Sequence, residues 1–186
     1  MTLNEIAASI KNDVRPKRPI LIAIEGFGGS GKTTLANKLK DILGSAYVVN
    51  IDDFIVKEKL NEPSWDNGAF DRERLERQVL IPASINGPIA YEELIWETNS
   101  FSKPKHVPDV DFLIVEGISA YHPNIALDYD YKIWIDTPNE DAKARGQARD
   151  AENENVDKWD LWAQNDLAYQ QRYHPEQHAD FKINNA

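Results

Sequence analysis

The residues best suited to chemistry lie close together near the start of the chain. Gly26-Phe27-Gly28-Gly29-Ser30-Gly31-Lys32-Thr33 fills every fixed position of the pattern G-x-x-x-x-G-K-[ST], which wraps backbone N–H groups around phosphate oxygens. Glycine suits that work because side chains would hold the backbone away from the phosphates, and because parts of such a loop need positive φ. Lys32 would add a mobile positive charge, and the Thr33 hydroxyl would coordinate Mg²⁺. Gly26, Gly28, Gly29, Ser30, Gly31, Lys32, Thr33 and Thr34 are therefore the expected contacts of ATP with Mg²⁺.

Acidic and basic residues further along could complete a phosphoryl-transfer site. Glu116 closes the apolar run Phe112-Leu113-Ile114-Val115 and precedes Gly117, the place for a second magnesium-organising oxygen. Asp52 and Asp53 follow the run from Tyr47 to Ile51. Either could orient and deprotonate an acceptor hydroxyl, because phosphoryl transfer asks more of positioning than of base strength. The other would cap the following turn. Arg145 and Arg149 stand four apart on a predicted helix and project from one face, either to clamp a phosphate or to pair with Glu140, Asp141 or Asp150. Asp150, Glu152, Glu154, Asp157 and Asp160 read as a solvated helix face, and Trp159 and Trp162 as packing residues. The four histidines show no metal-ligand spacing.

These groups need a scaffold that brings them to one edge. Thr2-Leu3-Asn4-Glu5 has capping-box form and opens a predicted helix running to about Val14, followed by a basic connector between Pro16 and Pro19. Ile20 to Ile24 is a continuous apolar run, as in a buried parallel strand, and the glycine loop joins it to a predicted helix over 33–43 that stops at Gly44. Tyr47 to Ile51 reads as a second buried strand with Asp52-Asp53 at its carboxyl end. A polar loop over 57–68 precedes helical spacing over 71–80, and residues 89–106 suggest a hairpin or irregular insertion. Strands over 112–115 and 131–135, each followed by turn and helix signals, extend the β-α alternation. The stretch from Asp141 to Tyr173 reads as largely helical, and Phe181-Lys182-Ile183 as a last edge strand. This order implies a parallel sheet covered by helices on both faces, with ligands at the carboxyl ends of the strands.

Bulk properties narrow the partners. With 186 residues, 41% hydrophobic and 28% charged, the chain has the composition of one globular domain. We expect an amino-terminal helix and connector over 1–18, an acceptor-side insertion over 57–110, and a lid with carboxyl-terminal helices over 139–173. A net charge of −10 argues against general nucleic-acid binding. The absence of cysteine excludes disulfide scaffolds and cysteine nucleophiles and suits the cytoplasm. Lys11, Arg15, Lys17 and Arg18 interrupt the place where an export signal would need an apolar core, and the longest apolar run is too short to cross a membrane. Self-association is left open.

Several separated motifs together resemble the uridine kinase and phosphoribulokinase branch of the P-loop kinases, over most of the chain after Pro19. They are the loop Gly26–Thr33, Asp52-Asp53-Phe54, Asp66-Asn67-Gly68-Ala69-Phe70-Asp71, Val115-Glu116-Gly117-Ile118 and Arg145-Gly146-Gln147-Ala148-Arg149-Asp150. The resemblance implies a three-layer α/β P-loop NTPase fold. It favours Asp52 as the base, assigns Asp66 to the ribose, has Glu116 help hold magnesium, and places Arg145 and Arg149 in a phosphate-binding lid. Tyr91-Glu92 is similar to a Tyr-Asp pair that lines the nucleoside pocket. The histidine and arginine that usually follow that pair are absent from Leu94-Ile95-Trp96-Glu97-Thr98-Asn99, and the Gly-Arg pair of family lids is absent from 151–155.

The expected activity is transfer of the γ-phosphate of ATP to a hydroxyl of a small molecule, a nucleoside first, with a sugar or vitamin precursor as alternatives. The rival from another class is a P-loop ATPase or nucleotide-dependent switch with no small acceptor.

Overall fold

A computed structural model describes residues 1–13, 18–153 and 155–185. Thr2 and Glu5 form the expected reciprocal cap on α1 (Leu3–Lys11). The predicted end at Val14 and the connector residues Arg15, Pro16 and Lys17 lie outside the described residues. β1 (Ile20–Glu25) is buried at every position, and α2 (Lys32–Leu43) ends at Gly44, whose φ is 88°.

β2 (Ala46–Asn50) departs from the expected second buried strand. It is half-buried and stops one residue early, because the Asn50 side chain accepts from the Asp52 N–H at 2.9 Å and starts a 3₁₀ turn, Ile51–Phe54. The acid pair therefore sits in that turn. α3 (Arg72–Leu75), a π-turn Glu76–Leu80 and α4 (Ile81–Ser84) run in succession. The insertion is a nested hairpin: β3 (Ala90–Tyr91) pairs antiparallel with β6 (Lys105–His106), and β4 (Leu94–Ile95) with β5 (Ser100–Phe101).

β7 (Phe112–Glu116) and β8 (Tyr131–Asp136) are the predicted strands, but the connection between them holds turns in place of the expected helix. Ser119 takes a positive φ of 61° there, and the Glu76 carboxylate accepts from the Ala126 and Leu127 N–H groups at 2.7 and 3.2 Å. Both hold the backbone out of helical geometry. α5 (Asn139–Arg149), α6 (Trp159–Tyr173) and the edge strand β9 (Phe181–Asn184) complete the chain.

The five long strands form one parallel sheet in the order β2-β7-β1-β8-β9. Alternation along β1 feeds two cores. Ile20, Ile22 and Ile24 pack with Ile6, Ile10, Leu39 and Leu43 from α1 and α2, while Leu21 and Ala23 pack with Phe54, Leu75, Leu80 and Tyr169. The result is a three-layer α/β fold whose central strand hands the chain to the glycine loop. None of the described helices is long and apolar enough to cross a membrane.

Candidate active site

The glycine loop leaves the carboxyl end of β1 and enters α2 through Gly31, which offers no side-chain cap. The first N–H groups of α2 thus lack the side-chain partner that usually satisfies a helix start. Gly29 has a φ of 81°, and a Cβ there would overlap the carbonyl oxygen of Ala142 in α5. Only glycine lets the loop turn left-handed and lie against that helix. Lys32 Nζ donates to the Phe27 carbonyl at 2.9 Å, folding the ammonium over its own loop. Ser30 Oγ is buried without a hydrogen-bond partner.

A cavity of about 610 Å³ opens above the loop. Gly28, Gly29, Gly31, Lys32, Thr33, Thr34, Asp52, Glu116, Arg145 and Arg149 all line it, so sheet and turn bring most of the sequence-predicted site together. Thr33 Oγ1 donates to Glu116 Oε1 at 2.8 Å. Glu116 is only 2% exposed. Burial pushes its pKa up, while Lys32 and the Thr33 hydrogen bond pull it down. A hydroxyl and a carboxylate are hard oxygen donors that fit Mg²⁺, an ion that takes few protein ligands and fills its shell with phosphate oxygens and water. No cluster of three or more histidine, aspartate or glutamate side chains able to hold a metal occurs among the described residues.

Of the adjacent acids, Asp52 lines the cavity and Asp53 does not. Water reaches Asp52 through the cavity, yet protein surrounds it on its other sides. That crowding raises its pKa, opposed by Lys32 and Arg149, and contact with water limits the rise. Asp53 is pushed up to about 6 by burial and by the nearby Glu93 and Asp52 charges. On α5, Arg145 donates to the Asn185 carbonyl at 2.7 Å, and Arg149 grips Asp150 through two bonds of 2.9 and 3.0 Å.

Two predicted acceptor residues stand outside the lining. Asp66 Oδ2 receives hydrogen bonds from Arg172 and Tyr173, and its Oδ1 lies 3.1 Å from His122 Nε2. Tyr91 is buried and stacks on Phe54. Gly26 and Ser30 support the loop without lining the cavity.

Several lining residues escaped the sequence reading. Asp150 is buried and not on a solvated face, since it binds Arg149 and accepts from Trp159 Nε1 at 3.0 Å. Glu154 of the same acidic run lies outside the described residues. Trp159 and Trp162 do pack, edge to face, but they also line the cavity, as do Trp65, Trp96, Phe70 and Asp166. The i, i+3 spacing of Trp159 and Trp162 was the available signal for a shared helix face; Asp166 carries none.

No family model matches the chain. It is similar to the uridine kinase of Ureaplasma parvum serovar 3 (strain ATCC 27815 / 27 / NCTC 11736), 30% identical over 150 residues that span 75% of this chain and 72% of that protein. The chain belongs to the uridine kinase family. Another member, the uridine kinase of Limosilactobacillus reuteri (strain DSM 20016), is 29% identical over 137 residues, 67% of this chain. The chain spans 62% of that relative's length. Among solved structures, the family fold recurs in a candidate fructose transport system kinase from Silicibacter sp. TM1040, with TM-score 0.75 at 24% identity over 98% of this chain and 99% of that one. It recurs also in a candidate uridine kinase from Bacillus stearothermophilus, with TM-score 0.70 at 20% identity over 97% and 96%.

Proposed function

We propose that this chain transfers the γ-phosphate of MgATP to a hydroxyl of a nucleoside, with Asp52 receiving the hydroxyl proton. One observation carries the reading: the Thr33–Glu116 hydrogen bond of 2.8 Å lies in the same cavity as Lys32 and Asp52. Phosphate-holding, metal-holding and proton-accepting groups thus share one chamber.

The acceptor oxygen bonds to the γ-phosphorus as the bond from that phosphorus to the β–γ bridging oxygen breaks, ADP leaves, and the acceptor proton passes to the Asp52 carboxylate. Lys32 balances charge on the β- and γ-phosphates, and Arg145 and Arg149 serve the transferring phosphate from α5. Thr33 and Glu116 would hold Mg²⁺, which would supply charge neutralisation to the phosphates. Trp65, Phe70, Trp96 and Trp162 form an apolar wall suited to a flat base. Asp66, held by Arg172 and Tyr173, and Tyr91, stacked on Phe54, lie outside the lining of that wall.

The test is ADP release from MgATP in the presence of single nucleosides, sugars and vitamin precursors. Release that depends on a nucleoside, and that falls by about a hundredfold or more in Asp52→Asn while MgATP still binds, is the expected result. ADP release indifferent to every acceptor would replace the kinase reading with a simple ATPase.

A further inference from the structure

One face of α6 is tied to the acceptor side of the cavity by three side chains at i, i+3 and i+4. Trp162 Nε1 donates to the Leu60 carbonyl at 3.2 Å. Asn165 accepts from the Ser64 N–H at 2.7 Å and donates to the Glu62 carbonyl at 3.0 Å, holding Ser64 at a φ of 96°. Asp166 goes further. Its Oδ1 accepts from Trp65 Nε1 at 2.7 Å, and its Oδ2 accepts from the Gly28 N–H of the glycine loop at 2.6 Å. The carboxylate is 3% exposed and borders the cavity.

We propose that Asp166 is a positioning residue that sets the distance between the phosphate loop and the acceptor wall, by bridging Gly28 and Trp65 with one carboxylate. The inference rests on the kinase reading above. An ionised carboxylate can accept from both donors at once, whereas an asparagine has a single accepting oxygen and must leave one of them unmatched. Burial raises its pKa, opposed in part by the Gly28 bond, Lys32 and the Trp65 bond. Transfer between two bound substrates depends on their registry, so loosening the bridge should impair the acceptor step more than nucleotide binding.

The experiment compares wild type, Asp166→Asn, Trp65→Phe and the double variant, using MgATP with uridine, or with whichever acceptor of the screen turns over. Asp166→Asn is expected to lower acceptor kcat/KM by about tenfold to a hundredfold, to leave MgATP affinity within about threefold, and to raise the share of ADP released without acceptor. Trp65→Phe removes the indole donor, so it should move the same readouts, and the double variant should be no worse than Asp166→Asn. Wild-type acceptor kinetics in Asp166→Asn, or equal losses in acceptor kcat/KM and MgATP affinity, would overturn the bridge. Should Asp166→Asn fail to fold, Trp65→Phe decides alone, and normal acceptor kinetics there would also overturn it. A wild type that phosphorylates no acceptor removes the kinase reading and the bridge with it, a result distinct from a variant that behaves normally.

Discussion

At one end of the cavity eight consecutive residues, Gly26 to Thr33, provide backbone, ammonium and hydroxyl between a strand and its helix. At the other end Leu60, Trp65, Phe70, Trp96 and Trp162 arrive from the long loop, the nested hairpin and α6. The first end is fixed by local chain geometry and the second by tertiary packing alone. A change at the first end should therefore affect every acceptor alike, while a change at the second should alter which acceptor is used.

The largest expected effect tests the first half of that contrast. Lys32→Ala should lower turnover by about a hundredfold to a thousandfold with every acceptor, since on the proposed reading the charge that balances the β- and γ-phosphates is lost. A drop confined to one acceptor would show that the two ends are not separable. Next comes Gly146→Ala in α5, where an added Cβ would overlap the Trp159 ring. The helix must then move off that ring, at a cost of about 1–3 kcal/mol. Thermal melts should show the loss, and calorimetry should show weaker MgATP binding, because the same helix lies on Gly29 and carries Arg145 and Arg149. An unchanged melting temperature would mean that α5 tolerates a shift away from Trp159.

Trp96→Ala tests the other half. Its ring lines the cavity from the hairpin and is 38% exposed, so truncation should cost acceptor stacking of about 1–3 kcal/mol, roughly a fivefold to hundredfold rise in acceptor KM. MgATP affinity should stay put. Equal rises in both Michaelis constants would place Trp96 at the nucleotide instead.

The same contrast explains what the sequence made legible. The loop, β1 and β7 could be read directly, because motif spacing and unbroken apolar runs are local signals; so could Glu116, which ends such a run. Asp52 could be narrowed from the pair only by resemblance, since the 3₁₀ turn that aims it depends on the Asn50 side chain. Asp166 and the buried Asp150 look like ordinary helix-surface acids in sequence. Their partners, Gly28, Trp65 and Trp159, are chosen by how α6 packs. The missing helix after β7 was likewise hidden, because Glu76, fifty residues earlier, holds the backbone N–H groups of that connection.

The smallest expected effect on turnover concerns a group beneath the phosphate loop that belongs to neither end. Glu25, the last residue of β1, is 0% exposed. Its Oε1 accepts from the Tyr169 hydroxyl at 2.8 Å, and its Oε2 has no hydrogen-bond partner. Burial lifts its pKa from an ordinary 4.5 to about 8, against the pull of Tyr169 and Lys32. The folded protein therefore holds a proton that the unfolded chain gives up, so its stability contribution is complete below about 4.5 and is lost progressively as pH rises towards about 8. Glu25→Gln keeps the shape and cannot ionise. Urea unfolding of both proteins at several pH values between these limits should show wild type losing ground to the variant with rising pH, while turnover near neutrality stays similar because Glu25 is already uncharged there. Parallel stability curves would mean that Glu25 ionises normally.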